Sequence, residues 1–191
     1  MPQLIRLLSK KEYSLCIPLF NECFGEDAEF TDEYFGSVLS FSLPSADDSE
    51  NEDADICSCS GSVRRARIAA LFEDGSIISM VHIMPKKAIL DNDPRLTELP
   101  YIMCVCTSPR HRHKGCMDKV MNFCIELLRS EGFPLCFLVA VDRNIYRHLD
   151  FIHDIKLTPE ECELLYADDG LDTASACLLN TDIMPEIHIT E

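Results

Sequence analysis

One stretch constrains this chain more than any other: Leu99-Pro-Tyr-Ile-Met-Cys-Val-Cys-Thr-Ser-Pro-Arg-His-Arg-His-Lys-Gly-Cys-Met-Asp-Lys-Val-Met121, an apolar run that passes through a basic, glycine-containing turn into a helix. A turn that feeds a helix N-terminus leaves backbone N–H groups without intrahelical partners, and the helix dipole adds positive potential at the same place. The junction therefore predicts an anion cradle. Arg110, Arg112 and Lys114, interleaved with His111 and His113, concentrate positive charge there in a chain of formal net charge −16.

Beyond the turn, Met117, Val120, Met121, Cys124 and Leu128 recur at helical spacing with Asp118, Asn122, Glu126 and Ser130 opposite, and Gly132 and Pro134 end the helix. Leu135 to Val141 is a continuous apolar run, as expected of a strand buried on both faces. Strand, helix and strand then form a right-handed β-α-β unit whose strands are parallel. A short helix from Asp142 to His148 starts where the second strand ends. It places Tyr146 near the carboxyl ends of both strands, the edge at which open α/β sheets bind ligands.

Length and composition suit one domain over residues 1–191: 47% hydrophobic residues suffice for a sizeable core. Eleven cysteines are sparse and odd in number, and several lie in apolar runs, which predicts reduced, buried thiols. No basic segment precedes an apolar one at the N-terminus, and no apolar run reaches membrane-spanning length, so a cytoplasmic protein is expected. The charge of −16 disfavours nucleic acid and anionic lipid and steers cationic small molecules or basic peptides inward.

Upstream, Leu4 to Leu8 reads as a strand, and Ser9-Lys-Lys-Glu12 as a capping box for a helix carrying Tyr13, Cys16, Ile17, Phe20 and Phe24. Pro18 is expected to kink that helix and Gly25 to stop it. Thr31, with Asp32 and Glu33, signals a second helix carrying Tyr34, Phe35, Val38 and Leu39. Six of the nine residues from Asp47 to Asp55 are acidic, so 45–60 reads as an acidic surface loop, and Cys57-Ser-Cys59 lacks the partner pair a structural metal site requires. No metal is expected. Arg67 to Phe72, a turn on Asp74-Gly75, and Ile77 to Met84 form an antiparallel hairpin, with Pro85 ending or bulging the strand and Asp91 to Arg95 a polar loop. His82, mid-strand, reads as a hydrogen-bonded core or cleft histidine. In the tail, Thr158-Pro-Glu-Glu161 starts a short helix, and Ala174 to Leu179 and Ile183 to Ile189 read as strands.

The strand, the Arg112-His-Lys-Gly115 turn and the helix resemble motif A of the GNAT superfamily of N-acetyltransferases: Arg or Gln, two residues, Gly, one residue, then Gly or Ala. Asn144-Ile-Tyr-Arg-His-Leu-Asp-Phe151 resembles its motif B. The enhanced-intracellular-survival branch is the nearest in pattern, sharing a Ser-Met strand that ends in Pro, a Val105-Cys-Thr-Ser-Pro109 run and a Met at the last motif A position. The resemblance covers about residues 4 to 152. It departs at Met117, where Gly or Ala is usual, and at Asp150, which replaces the motif B glycine.

What the resemblance implies is an α/β fold, a mixed, twisted central sheet flanked by helices around a parallel β-α-β core that binds acetyl-CoA. Backbone N–H groups from Arg112, His113, Lys114, Gly115, Cys116 and Met117 would hold the pyrophosphate, with Arg112 and Lys114 as charge partners, and Arg110 and Asn144 complete the cofactor set. Those around Met103, Cys104 and Val105 would supply the oxyanion donors. Tyr146 would be the general acid toward the leaving thiolate, its phenol lowered by Arg143, Arg147 or His148. The implied reaction is transfer of an acetyl group to a primary amine of a small molecule or peptide by direct attack in a ternary complex. Glu98 is the one weak candidate for the base. A CoA-binding module without catalysis and a scaffold for protein association stay open as alternatives, as does a homodimer.

Overall fold

A computed structural model of the chain describes residues 2–25, 28–40, 65–91, 93–167 and 170–190. The acidic stretch 45–60 with Cys57-Ser-Cys59, and the side chains of Val38 and Leu39, lie outside the described residues. The first strand, β1 (Gln3–Leu7), is antiparallel to β2 (Arg67–Glu73), with Ile5 opposite Leu71. The Ser9 N–H then donates to Glu12 Oε2 at 2.9 Å, as the capping pattern requires. The turn it opens is a 3-10 segment, Lys10–Cys16, and α1 (Ile17–Phe24) begins only after it. Pro18 therefore sits in the first turn of α1, where its missing N–H leaves no bond unmade, and it kinks nothing. Gly25 at φ 69° stops α1 as expected. The second helix, α2 (Ala28–Ser40), starts before Thr31, which is not its cap: the hydroxyl is buried inside the helix and donates to Asn21 Oδ1 at 2.8 Å.

β2 returns through Asp74 (φ 51°) and Gly75 (φ 80°), the paired left-handed residues a two-residue hairpin turn needs, into β3 (Ser76–Leu90). Pro85 does not end this strand. It stands opposite Pro100 of β4 (Asp93–Thr107), and on its other edge it falls between Ile83, the last partner of β2, and Lys87, the first partner of β8 (Ile187–Thr190). A missing N–H interrupts no ladder there. The expected loop at Asp91–Arg95 is cut short, because β4 begins at Asp93.

Between the pairs Met80 to Cys106 and His82 to Met103, Val81 alone opposes both Cys104 and Val105. This is a β-bulge in β4, with Cys104 at φ 48°. β4 leads through α3 (Cys116–Ser130) to the parallel β5 (Leu135–Val139), and the two pair in register only at Tyr101 opposite Phe137. β5 stops at Val139, short of the predicted Val141, which is 81% exposed. β5 pairs with β7 (Thr173–Leu178), and β7 with β6 (His153–Lys156), a strand whose single buried apolar residue, Ile155, gave no alternation to read. The sheet order is β1-β2-β3-β4-β5-β7-β6, with β8 added to the far end of β3, and α4 (Pro159–Leu164) lies between β6 and β7 in the chain. The predicted final strand is thereby shortened: Ile183 is 77% exposed.

Two apolar clusters sandwich the sheet. Phe20 and Phe35 of α1 and α2 pack with Tyr101, Leu135 and Phe137 on one face. Val120, Met121, Cys124 and Leu128 of α3 pack with Ile83, Cys136 and Leu138 on the other. β5 thus contributes alternate residues to both, which is why its sequence is apolar throughout. The nine cysteines among the described residues are free thiols, six of them buried.

Candidate active site

β4 and β5 diverge past their single register pair, and a cavity of about 380 Å³ opens between them. Met103, Cys104 and Val105 line one wall, residues 138–142 the other, and Ile145 and Tyr146 reach it from the 3-10 segment Arg143–Leu149. Phe24 closes one side from the end of α1. The bulge matters here, because two residues facing one break the regular ladder and leave the extra residue unpaired in the cleft wall. Phe24, Val141 and Ile145 form an apolar lip, each more than 40% exposed.

At the end of β4, Ser108 N–H donates to Ile78 O and a short 3-10 turn, Pro109–His111, leads to the loop Arg112–Gly115. His113 (φ 60°) and Gly115 (φ 71°) are both left-handed, a sequence of conformations that gathers successive N–H groups into one concavity. A Cβ on Gly115 would meet nothing closer than Asp118 Oδ2 at 3.9 Å, so the glycine is needed for its φ and not for space. Arg112 Nε donates to Thr107 O at 3.2 Å, fixing its stem beside the loop. Among the described residues no carboxylate pairs with Arg110, Arg112 or Lys114, and all three are exposed. Cys116 is buried under the first turn of α3. Met117 is half-buried and packs against the α3-side core, leaving the loop backbone as the cradle wall.

Tyr146 stands where the sequence places it, 7% exposed, its ring edge-on to Phe151 at 6.2 Å. Asp150 takes the left-handed conformation (φ 65°) that a glycine would occupy, and the turn closes with its N–H donating to Arg147 O. The expected positive charge does not reach the phenol: Arg143 pairs with Asp154 at 2.6 Å, and His148 with Asp118 at 2.9 Å. Burial instead pushes the Tyr146 phenol up to about 12. Asn144 is not in the cleft. It lies in a smaller polar pocket of about 220 Å³ with Arg147, Asp154 and Ser175, its N–H held by Asp142 Oδ1. Glu98 is also elsewhere, opposite Lys87 and five residues, ~17 Å of strand, before Met103.

Two residues of the site carried no functional signal in the sequence. Tyr34 Oη lies 2.6 Å from His82 Nδ1 and 3.0 Å from Cys104 Sγ. His82 is fully buried and held far below the usual imidazole range, at about 3, by desolvation. The mid-strand histidine reads as a core or cleft residue and the aromatic on a helix face as core, and their spatial meeting with Cys104 marks them.

Residues 4–153 match the family model described as an acetyltransferase (GNAT) domain. Among solved structures, a GNAT family acetyltransferase from Brucella melitensis in complex with acetyl-CoA superposes with a TM-score of 0.61 at 14% identity, covering 100% of this chain and 96% of that one. A GCN5-related N-acetyltransferase from Kribbella flavida gives 0.56 at 15% identity, and Eis1 from Mycobacterium abscessus gives 0.54 at 14%. Each of these two covers 81% of this chain, which spans about a third (33%) of their length. No curated protein matches the sequence.

Proposed function

This chain belongs to the GNAT acetyltransferase family, and we propose that it transfers an acetyl group from acetyl-CoA to a primary amine of a small molecule or peptide by direct attack in a ternary complex. One observation carries the reading. A basic, left-handed turn at the N-terminus of a long helix and a cleft holding both a strand bulge and Tyr146 meet at the same end of β4. These residues fit the donor: loop N–H groups from Arg112 to Met117, with the side chains of Arg112 and Lys114, suit a pyrophosphate. The bulged backbone at Met103 to Val105 supplies N–H donors for the charge that develops on a thioester oxygen. When bound, acetyl-CoA provides the activated acyl group and a thiolate leaving group.

Magnitudes decide what Tyr146 does. With its phenol at about 12 and a thiol near ~8.5, full proton transfer to the thiolate is uphill by about 5 kcal/mol. A hydrogen bond to a charged acceptor is favourable by ~1.5–3 kcal/mol and needs no transfer. Tyr146 therefore stabilises the leaving sulfur by donating a hydrogen bond and keeps its proton. An alkylamine near ~10.4 is neutral in only about one molecule in 10³ to 10⁴ at pH 7, so its proton leaves through water, Glu98 being too distant. Met117 packs on the α3-side core and Asp150 takes the left-handed conformation of the glycine it replaces, which supports a working site over a module that binds CoA without catalysis.

The test is thiol release from acetyl-CoA by the purified chain across polyamines, aminoglycoside-like amines, arylalkylamines and basic peptides. Amine-dependent release is expected. Calorimetric binding of acetyl-CoA with no release across the panel would replace the reading with a CoA-binding module.

A further inference from the structure

We propose that Tyr34 and His82 are positioning residues that hold Cys104 in its left-handed conformation, and thereby aim the Met103–Val105 backbone into the cleft. The inference rests on the reading of those N–H groups as oxyanion donors.

Cys104 is a residue with a β-carbon at φ 48°, at the bulge, in the cleft wall. Such a conformation persists in a non-glycine residue only where its surroundings over-determine it. Its sulfur is met by Tyr34 Oη at 3.0 Å, and Tyr34 is itself clamped: its ring stacks on Phe20 at 5.1 Å and its oxygen lies 2.6 Å from His82 Nδ1. His82 is mid-strand in β3, beside the register shift that defines the bulge, and Phe35 packs edge-on against its imidazole at 5.8 Å. The chain of contacts thus joins α2, β3 and the bulge of β4.

Burial also fixes what this chain of groups can do. His82 stays neutral, desolvation raises the Tyr34 phenol far above its ordinary value, and it pushes the Cys104 thiol up to about 11. Three groups held neutral are poor acceptors for the proton of an attacking amine, and a neutral, half-buried thiol is a poor nucleophile. They can donate and accept hydrogen bonds, which is a positioning role. His82 Nε2 has no partner among the described residues. The tautomer with the proton on Nδ1 leaves a lone pair there in place of a stranded N–H, and it orders the chain outward. Nδ1–H donates to Tyr34 Oη, and the Tyr34 hydroxyl donates to Cys104 Sγ.

The experiment is a mutant cycle read by thiol release. Tyr34→Phe is expected to lower kcat about tenfold or more with the KM for acetyl-CoA within about twofold. Cys104→Ser, which keeps an acceptor for the phenol, should stay within about threefold of the parent, whereas Cys104→Ala should fall like Tyr34→Phe. Glycine adopts the left-handed conformation freely, so in a Cys104→Gly background the Tyr34→Phe change should cost no more than about twofold. An equal loss in both backgrounds, or an unchanged kcat in Tyr34→Phe, overturns the inference. Amide hydrogen exchange at Met103 to Val105 is the second readout. It should accelerate in Tyr34→Phe even if the parent releases no thiol, which separates failure of the functional reading from failure of the positioning role.

Discussion

Tyr146 shows how an environment redefines a side chain that lines the cleft. Its position follows from the short 3-10 segment after β5, but Arg143 and His148 face Asp154 and Asp118, and Arg147 lines the separate polar pocket. With the phenol at about 12, Tyr146→Phe should lower kcat by about 10- to 100-fold, the scale of one lost donor to developing charge, while acetyl-CoA affinity measured by calorimetry changes less than about twofold. The alkaline limb of kcat below pH 10 should be the same in both proteins, because Tyr146 does not ionise in that range. His82 makes a prediction about stability. Its folded value of about 3 lies below the ~6.5 of an unfolded histidine, so the unfolded state takes up the extra proton. Stability from this group is complete above pH 6.5 and is lost as pH falls toward 3. Denaturant titrations should show a loss of roughly 2 kcal/mol between pH 6.5 and 4.5, absent in His82→Gln. Glu12, held at about 2 by Arg6, begins to lose its own contribution near the unfolded carboxylate value of ~4.3, at the lower edge of that window.

Among the elements, the β-α-β unit was the most legible, because a 3.6-residue stripe and an all-apolar strand are local patterns with one interpretation each. The same reasoning failed at the edges of elements. Thr31 has the chemistry of a cap and serves as a buried donor to Asn21, and Pro85 has the chemistry of a strand end and sits in a gap between two partner strands. Both outcomes depend on what lies alongside, which a single segment does not encode. The short α4 owes its place to Glu161, a buried carboxylate that accepts from the Thr158 N–H and from the Ile189 N–H of β8, both at 2.8 Å. Glu161→Ala leaves both donors without that acceptor and should cost about 1–3 kcal/mol for each that stays buried. Hydrogen exchange should localise the effect: amides of β8 accelerate while those of α3 do not change.

At the level of the whole molecule, a net charge of −16 surrounds a small basic loop. In the proposed reaction the two would act on different reactants. The loop is local and would hold the donor, whereas the general field would act on the acceptor from a distance set by screening. Raising ionic strength from about 0.01 to about 0.15 M shortens that distance from ~30 to ~8 Å, and kcat/KM for a polycationic amine should fall several-fold. A peptide amine flanked by acidic residues should move the opposite way. Equal salt dependence for both would remove the role assigned to the acidic surface.

The primary structure alone determined the core strand order around α3, the basic, glycine-containing turn that leads into it and the place of Tyr146. Each follows from residues within one turn or one strand of each other, where helix-start chemistry and periodicity act directly. Tertiary structure alone decided that β4 bulges at Cys104, that β4 and β5 part after one register pair, and that Tyr34 and His82 belong to the site. The Tyr34 contacts span 48 and 70 residues of sequence. The bulge carries no glycine to announce it, and both the neutrality of His82 and the high value of Tyr146 come from burial. Burial is a property of the assembled core, and no segment of the chain possesses it until the others have packed around it.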